Sequence, residues 1–348
     1  MLDVQRIIFQ NIVTFQGIRL SPCVTWMNYS IMDKYCSMWI CCGLFKEAFF
    51  HMAGMINNFY YGKAGQADYT PEQMPTTRIQ LFFETLKVRF TGLFGMNLCY
   101  LLFCLPAIVW TVLTVQVLNA QAEAGASAEL LSYISMYLLW MIPCLGLSGI
   151  GAPGLMYVLR NWARDDHAFA FSDFKDQIKA NWKQGLLTGL LTGLVTFVCY
   201  VGFIFYQQQA ATNFFFAMPQ MLTLMLCVLC WMMNMIIYTM MVTYKVTYLQ
   251  LIKNAAIITL ARLPWAILIF AISILPGAAL LVYAHPYLVM AIAILYLVIG
   301  FAFTGFVYAS YSNACFDKYI NANLEGAPLN RGLRDPSLED QDDEEEDA

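Results

Sequence analysis

Charge is scarce in this sequence. Asp, Glu, Lys and Arg make up 12% of its 348 residues, about half of the roughly 25% usual in soluble domains. The mean hydropathy is +0.58, and 60% of the residues are apolar. A water-soluble fold of that composition would lack the polar surface to cover its core. Histidine is scarcer still: His51, His167 and His285 fall in three separate segments. HExxH, GxSxG and the P-loop pattern are absent, so three common routes to metal-, serine- and nucleotide-based chemistry have no carrier. No enzyme, no cofactor and no metal are expected. No nucleic acid is expected as a partner.

The charge that is present comes in blocks. Six long runs hold no Asp, Glu, Lys or Arg: 91–118, 130–159, 185–206, 218–243, 264–284 and 287–312. Each is long enough as a helix to cross about 30 Å of hydrocarbon. The predicted fold class is therefore all-α: a polytopic helical membrane protein with six transmembrane helices. Pro106, Pro143 and Pro153 lie in the first two runs, where kinks or tilt are the expected consequence. Eight acids fall in the last ten residues, which reads as a disordered acidic tail.

All 19 Lys and Arg lie before the first run, between the second and third, between the fourth and fifth, or after the sixth. The other three connections hold none. By the positive-inside rule the basic segments face the cytosol, with both termini inside. The outer connections are short, and Phe214, Phe215 and Phe216 beside the second of them fit an interfacial aromatic belt. The domain reading is 1–54 as an N-terminal extension, 55–90 as a cytosolic leader and amphipathic helix, 91–312 as the six-span domain, and 313–348 as the tail.

Seven of the eleven Cys fall within or at the ends of apolar runs, as buried reduced thiols do. Cys227 and Cys230 form a CxxC, yet no His or acid keeps them company, so packing is the reading there. Asn97 and Asn234 are the most polar side chains at depth, and interhelical hydrogen bonding accounts for them. Arg164, Asp165 and Asp166 read as a solvated charge cluster.

Each cytosolic segment carries apolar residues at i, i+3, i+7 and i+11: Ile79, Phe82, Leu86 and Phe90; Phe171, Phe174, Ile178 and Trp182; Leu249, Ile252, Ala256 and Leu260. Basic residues flank them, namely Lys87 and Arg89, Lys175, Lys179 and Lys183, Lys253 and Arg262. That pattern predicts three helices lying on the membrane surface, each leading into a span, with the basic side chains toward anionic headgroups. Three copies of one unit is one reading; the common periodicity of amphipathic helices is the other.

Two glycine patterns stand out. Gly185, Gly189 and Gly193 recur every four residues and predict a close helix–helix contact. In GLSGIGAPG (146–154), Gly149, Gly151, Pro153 and Gly154 either unwind a helix as a broken-helix binding site or form a closely packed helix end.

The run NNFYYGKAGQADYTPEQMP (57–75), the following FFETLKVRF and NLCYLLFCLPAIVW, and the blocks FSDFKDQIKANWKQG and YLQLIKNAAIITLARLPW together resemble the YesL-like family of bacterial integral membrane proteins. The resemblance covers roughly 55–330 and implies five or six spans in the bacterial cytoplasmic membrane. The family has no settled activity. Its members are often encoded near carbohydrate-uptake ABC systems and glycan-degrading enzymes. This implies an accessory or regulatory role in sugar import, with ABC-type importer subunits and the lipid bilayer as partners; the alternative is a transport subunit that itself moves a small solute. The resemblance assigns no catalytic or binding residue and leaves the oligomeric state open. Family members begin close to the leader, which implies a translation start at Met52 or Met55 rather than Met1.

Overall fold

The computed structural model describes residues 74–123, 130–282 and 285–334, all within the second of two units into which the chain divides, Gly65–Ala348. The expected extension at 1–54, most of the leader and residues 335–348 of the expected tail lie outside the described residues; its first part, 313–334, is described, and a helix runs through it to Tyr319. Within them the fold is all-helical, with no strand. The helices are α1 (Arg78–Val88), α2 (Phe90–Glu123), α3 (Leu130–Trp162), α4 (Ala170–Ala210), α5 (Ala217–Thr243), α6 (Tyr248–Ala261), α7 (Leu263–Val282), α8 (Pro286–Leu295) and α9 (Phe301–Tyr319), with a π-helical segment Tyr296–Gly300 joining the last two.

Among the described residues, five helices are long and apolar enough to cross a membrane: Phe90–Gln121, Leu131–Trp162, Ala170–Ala210, Phe214–Thr243 and Tyr287–Asn323. A sixth exists if α6 and α7 are taken together, and these meet at a bend of 97°. The bend has a local cause. Arg262 ends α6, and Pro264 opens the next helix, where its ring cannot continue the preceding hydrogen-bond ladder.

α1 and α6 are built alike. Each starts at a threonine whose backbone N–H donates to the side chain of a glutamine three residues on, Thr77 to Gln80 and Thr247 to Gln250. This is the returning half of a capping box. Each ends at an arginine, Arg89 or Arg262, before a long apolar helix. Their expected apolar stripes are largely turned away from the protein: Ile79, Phe90, Leu249 and Leu260 are exposed. The faces that pack inward are other ones, Leu81 and Thr85 on α1 and Leu251, Ala255, Ile258 and Thr259 on α6. Phe82 departs from its stripe and stacks on Phe306 at 4.9 Å between centroids.

The second expected surface helix is not a separate element. Residues 170–184 run on into the third span as one helix of 41 residues, about 60 Å long. Nothing between Trp182 and Gly185 breaks it. Phe174 is buried, its backbone carbonyl against Gly154 of α3. Packing against α3 therefore keeps this segment in line with the span.

The core gathers at the end of the bundle where the basic residues lie. Leu93, Met96, Leu159, Met235, Ile236, Met240 and Phe306 are all fully buried there. Toward the other end, large apolar side chains such as Val109, Trp140, Met221, Met225 and Leu275 are exposed, as surfaces facing lipid are. Phe214 and Phe215, in the short 3-10 turn before α5, are among the most exposed residues.

A polar clamp closes the basic end. Arg78 pairs with Asp317, and it also donates to Asn330 at 2.9 Å. Asp317 accepts further bonds from Asn321 Nδ2 and Asn330 N–H. Arg331 pairs with Asp166 at 3.1 Å, and Arg334 N–H donates to Pro75 O. The expected solvated cluster at 164–166 is thus tied into this clamp through Asp166, while Asp165 takes a left-handed backbone (φ 55°) that turns the chain out of α3.

Candidate functional site

The predicted glycine stripe of α4 and the glycines of α3 meet each other. A Cβ built on Gly185 would lie 2.3 Å from Gly149 O, on Gly149 2.4 Å from Gly185 O, and on Gly189 2.1 Å from Leu145 O. Gly193 faces Ile142 Cα at 2.8 Å. The backbones touch, and only glycine fits. α3 is helical through GLSGIGAPG from Leu130 to Trp162 despite Pro143 and Pro153. Gly151 lies against the Phe103 ring, and Pro153 packs near Gly185. The broken-helix reading of Gly149, Gly151, Pro153 and Gly154 gives way to close packing in an unbroken helix, because the neighbouring α4 fills the space that unwinding would need.

Beside this seam is a cavity of about 580 Å³, within the range of sites for small molecules. Side chains from α2, α3, α4, α5, α7 and α9 and from the π-helical segment line it. The seam sets one wall with Gly189 and Thr192. Asn234 of α5 donates to Thr192 Oγ1 at 2.9 Å, and Trp231 Nε1 donates to Thr196 at 3.1 Å. On α2, Tyr100 sits beside Cys104 and Ser148.

The opposite wall depends on Asn97, which is fully buried outside the cavity. Its Nδ2 donates to the carbonyls of Tyr296 and Leu297, and its Oδ1 accepts from Ala302 N–H. A π-helical turn frees backbone groups from the ordinary ladder, and one asparagine satisfies three of them. Tyr296, first in that turn, lines the cavity. The two asparagines expected to bond between helices both do so. They divide the work: Asn97 supports the wall and Asn234 is part of it.

Among the described residues, no Asp, Glu, Lys, Arg or His lines the cavity. The hydroxyls of Tyr238, Tyr296 and Thr304 line it with no hydrogen-bond partner among the described residues. The remaining walls are mostly apolar, including Ile108, Leu145, Leu155 and Met156. One or two turns nearer the basic end the bundle is shut by Leu159, Met240 and other buried side chains. At the rim, Val112 and Trp231 are 51% and 36% exposed.

The basic residues expected at the membrane surface are placed in two ways. Lys87, Lys175, Lys179, Lys183 and Lys253 are exposed. Arg89 and Arg262 turn inward, Arg89 over the Trp162 ring at 5.9 Å and Arg262 to Cys315 Sγ at 3.9 Å. Cys227 and Cys230 are free thiols, and no group of metal-binding side chains occurs among the described residues. The clamp residues Arg78 and Asp317 were missed in the sequence. They stand 239 positions apart, and no local pattern links them.

Residues 133–203 match a family model described as Protein of unknown function, DUF624. That family contains the YesL-like proteins. The match covers about a fifth of the chain. It spans nearly all of α3 and most of α4, which is the glycine seam and one wall of the cavity. No curated protein and no solved structure matches the chain.

Proposed function

We propose that this chain is a multi-pass protein of the bacterial cytoplasmic membrane that serves carbohydrate uptake as an accessory or regulatory component. The carbohydrate connection rests on the resemblance to YesL-like proteins; the family match supports that resemblance and names no function. The cavity carries the choice of accessory over conduit. It is uncharged, largely apolar and shut toward the basic end. A path for a hydrophilic sugar would need polar partners along its length, since each buried hydroxyl left unbonded costs about 1–3 kcal/mol.

Six crossings, with α6 on the membrane surface and α7 as the fifth span, fit the clamp. The start of α1, the α3–α4 turn and the segment after α9 share hydrogen bonds and ion pairs, so they lie on one side. That shared side supports an even number of crossings between α1 and the end of α9. The basic connections mark that side as cytosolic.

Partner subunits of an ABC importer would meet the exposed apolar helices within the bilayer or the basic end outside it. Affinity purification of the full chain from native membranes tests the reading. Recovery of an importer permease or its ATPase is expected. Recovery of the chain alone, together with sugar uptake by liposomes containing only this protein, would overturn it in favour of a transporter.

A further inference from the structure

The cavity makes demands of its own on any occupant, whatever system the protein serves. A charged head, phosphate or ammonium, would leave water for walls that carry no counter-charge; a buried unpaired charge is among the costliest arrangements in a protein. A free sugar carries a hydroxyl on nearly every carbon. The cavity offers the hydroxyls of Tyr238, Tyr296 and Thr304 and the unoccupied Oδ1 of Asn234, set in walls that are otherwise apolar. That supply suits a molecule with one or two polar groups on an apolar body. The rim at Val112 and Trp231 is exposed, partway along helices long and apolar enough to cross a membrane. An occupant can therefore enter from the bilayer without crossing water.

We propose that the cavity is a binding site for an uncharged lipid. Its hydroxyl- or carbonyl-bearing head reaches Tyr238, Asn234 and Thr304, and its chain lies past Ile108 and leaves over Val112. Tyr238 can donate to the oxygen of a carbonyl or a hydroxyl, and Asn234 Oδ1 can only accept, from the hydroxyl's O–H. The pair thus recognises a hydroxyl head by two complementary bonds. This proposal does not depend on the carbohydrate reading.

The test uses the full chain in lipid nanodiscs and a diacylglycerol carrying a diazirine next to its glycerol. The control is a phosphatidylglycerol with the same diazirine in the same place. On irradiation the diacylglycerol probe should label peptides holding residues 231–238 and 296–308. An excess of unlabelled diacylglycerol should suppress that labelling about tenfold, and so should Tyr238→Phe combined with Asn234→Leu, as the loss of the bonds to the head implies. Thr304→Val provides the same readout should the double variant fail to fold. Equal labelling by the charged probe, labelling confined to the outer helix surfaces, or displacement by a millimolar free disaccharide would each overturn the proposal.

Discussion

Placing one methyl group in the α3–α4 seam should cost more than any other single-carbon change in the bundle. At Gly189 the added Cβ would sit 2.1 Å from the carbonyl oxygen of Leu145. Ordinary contact begins near 3.4 Å, so the helices must part by about 1.3 Å at that point. The obstacle is backbone and cannot rotate away. The displacement is felt along the seam at Gly185 and Gly193, where the backbones also touch. Overpacking in a close-fitting core costs about 1–3 kcal/mol, and rigid backbone on both sides puts Gly189→Ala at the upper end. A loss of about 3 kcal/mol lowers the folded-to-unfolded ratio roughly 150-fold.

Gly277→Ala is the matched control. It also lies inside an apolar helix, but its Cβ would meet nothing within 4 Å. There alanine should stabilise the helix by about 0.5–1 kcal/mol. Thermal and denaturant unfolding in detergent micelles, followed by helix signal and by thiol reactivity of the buried cysteines, compares the two. A Gly189→Ala protein as stable as the parent would refute the seam, as would equal losses at 189 and 277.

Three further outcomes follow from the same structure. Asn97→Leu removes the partner of three backbone groups around the π-helical turn; it should cost about 2–4 kcal/mol and speed amide exchange at Ala302, read by mass spectrometry. Asp317→Ala strips partners from Arg78, Asn321 and Asn330 and should cost about 2–3 kcal/mol, whereas Arg331→Ala breaks an exposed pair and should cost under about 1 kcal/mol, both measured by chemical denaturation. Burial pushes the Tyr244 hydroxyl up to about 12, and that hydroxyl donates to Asn321 Oδ1 at 2.7 Å. The folded state therefore keeps this proton where the unfolded chain, with a pKa of about 10, has lost it. Its stabilising contribution is full below about pH 10 and falls away as pH rises toward 12, so the parent should lose stability over that window more steeply than Tyr244→Phe.

What could be read in the sequence was set by local physics. Uncharged runs, the apolar stripes at 79–90 and 249–260, and the four-residue spacing of Gly185, Gly189 and Gly193 each act within a few turns of helix. The helices α1 and α6 were visible for that reason, as was the side of α4 that meets another helix. The role of 171–182 was not, because its stripe serves equally for a membrane surface or a neighbouring helix, and only the position of Gly154 decides. For Gly149, Gly151, Pro153 and Gly154 the sequence left unwinding and close packing both open, since their partner lies on another helix. The cavity was hidden because its polar groups, Tyr238, Tyr296, Thr304 and Asn234, come from separate helices and share no motif. Asn97 was singled out as a buried bonding group, but its link to a π-helical turn some 200 residues away left no trace in spacing.

The sidedness of the chain underlies both the proposed placement in the membrane and the route by which a partner or a lipid would approach. Reporters inserted singly after Thr212 and after Arg334 of the full chain, in the proposed host membrane, measure it directly. The account predicts the reporter after Arg334 in the cytosol and the one after Thr212 outside. Both reporters on the same side would contradict it.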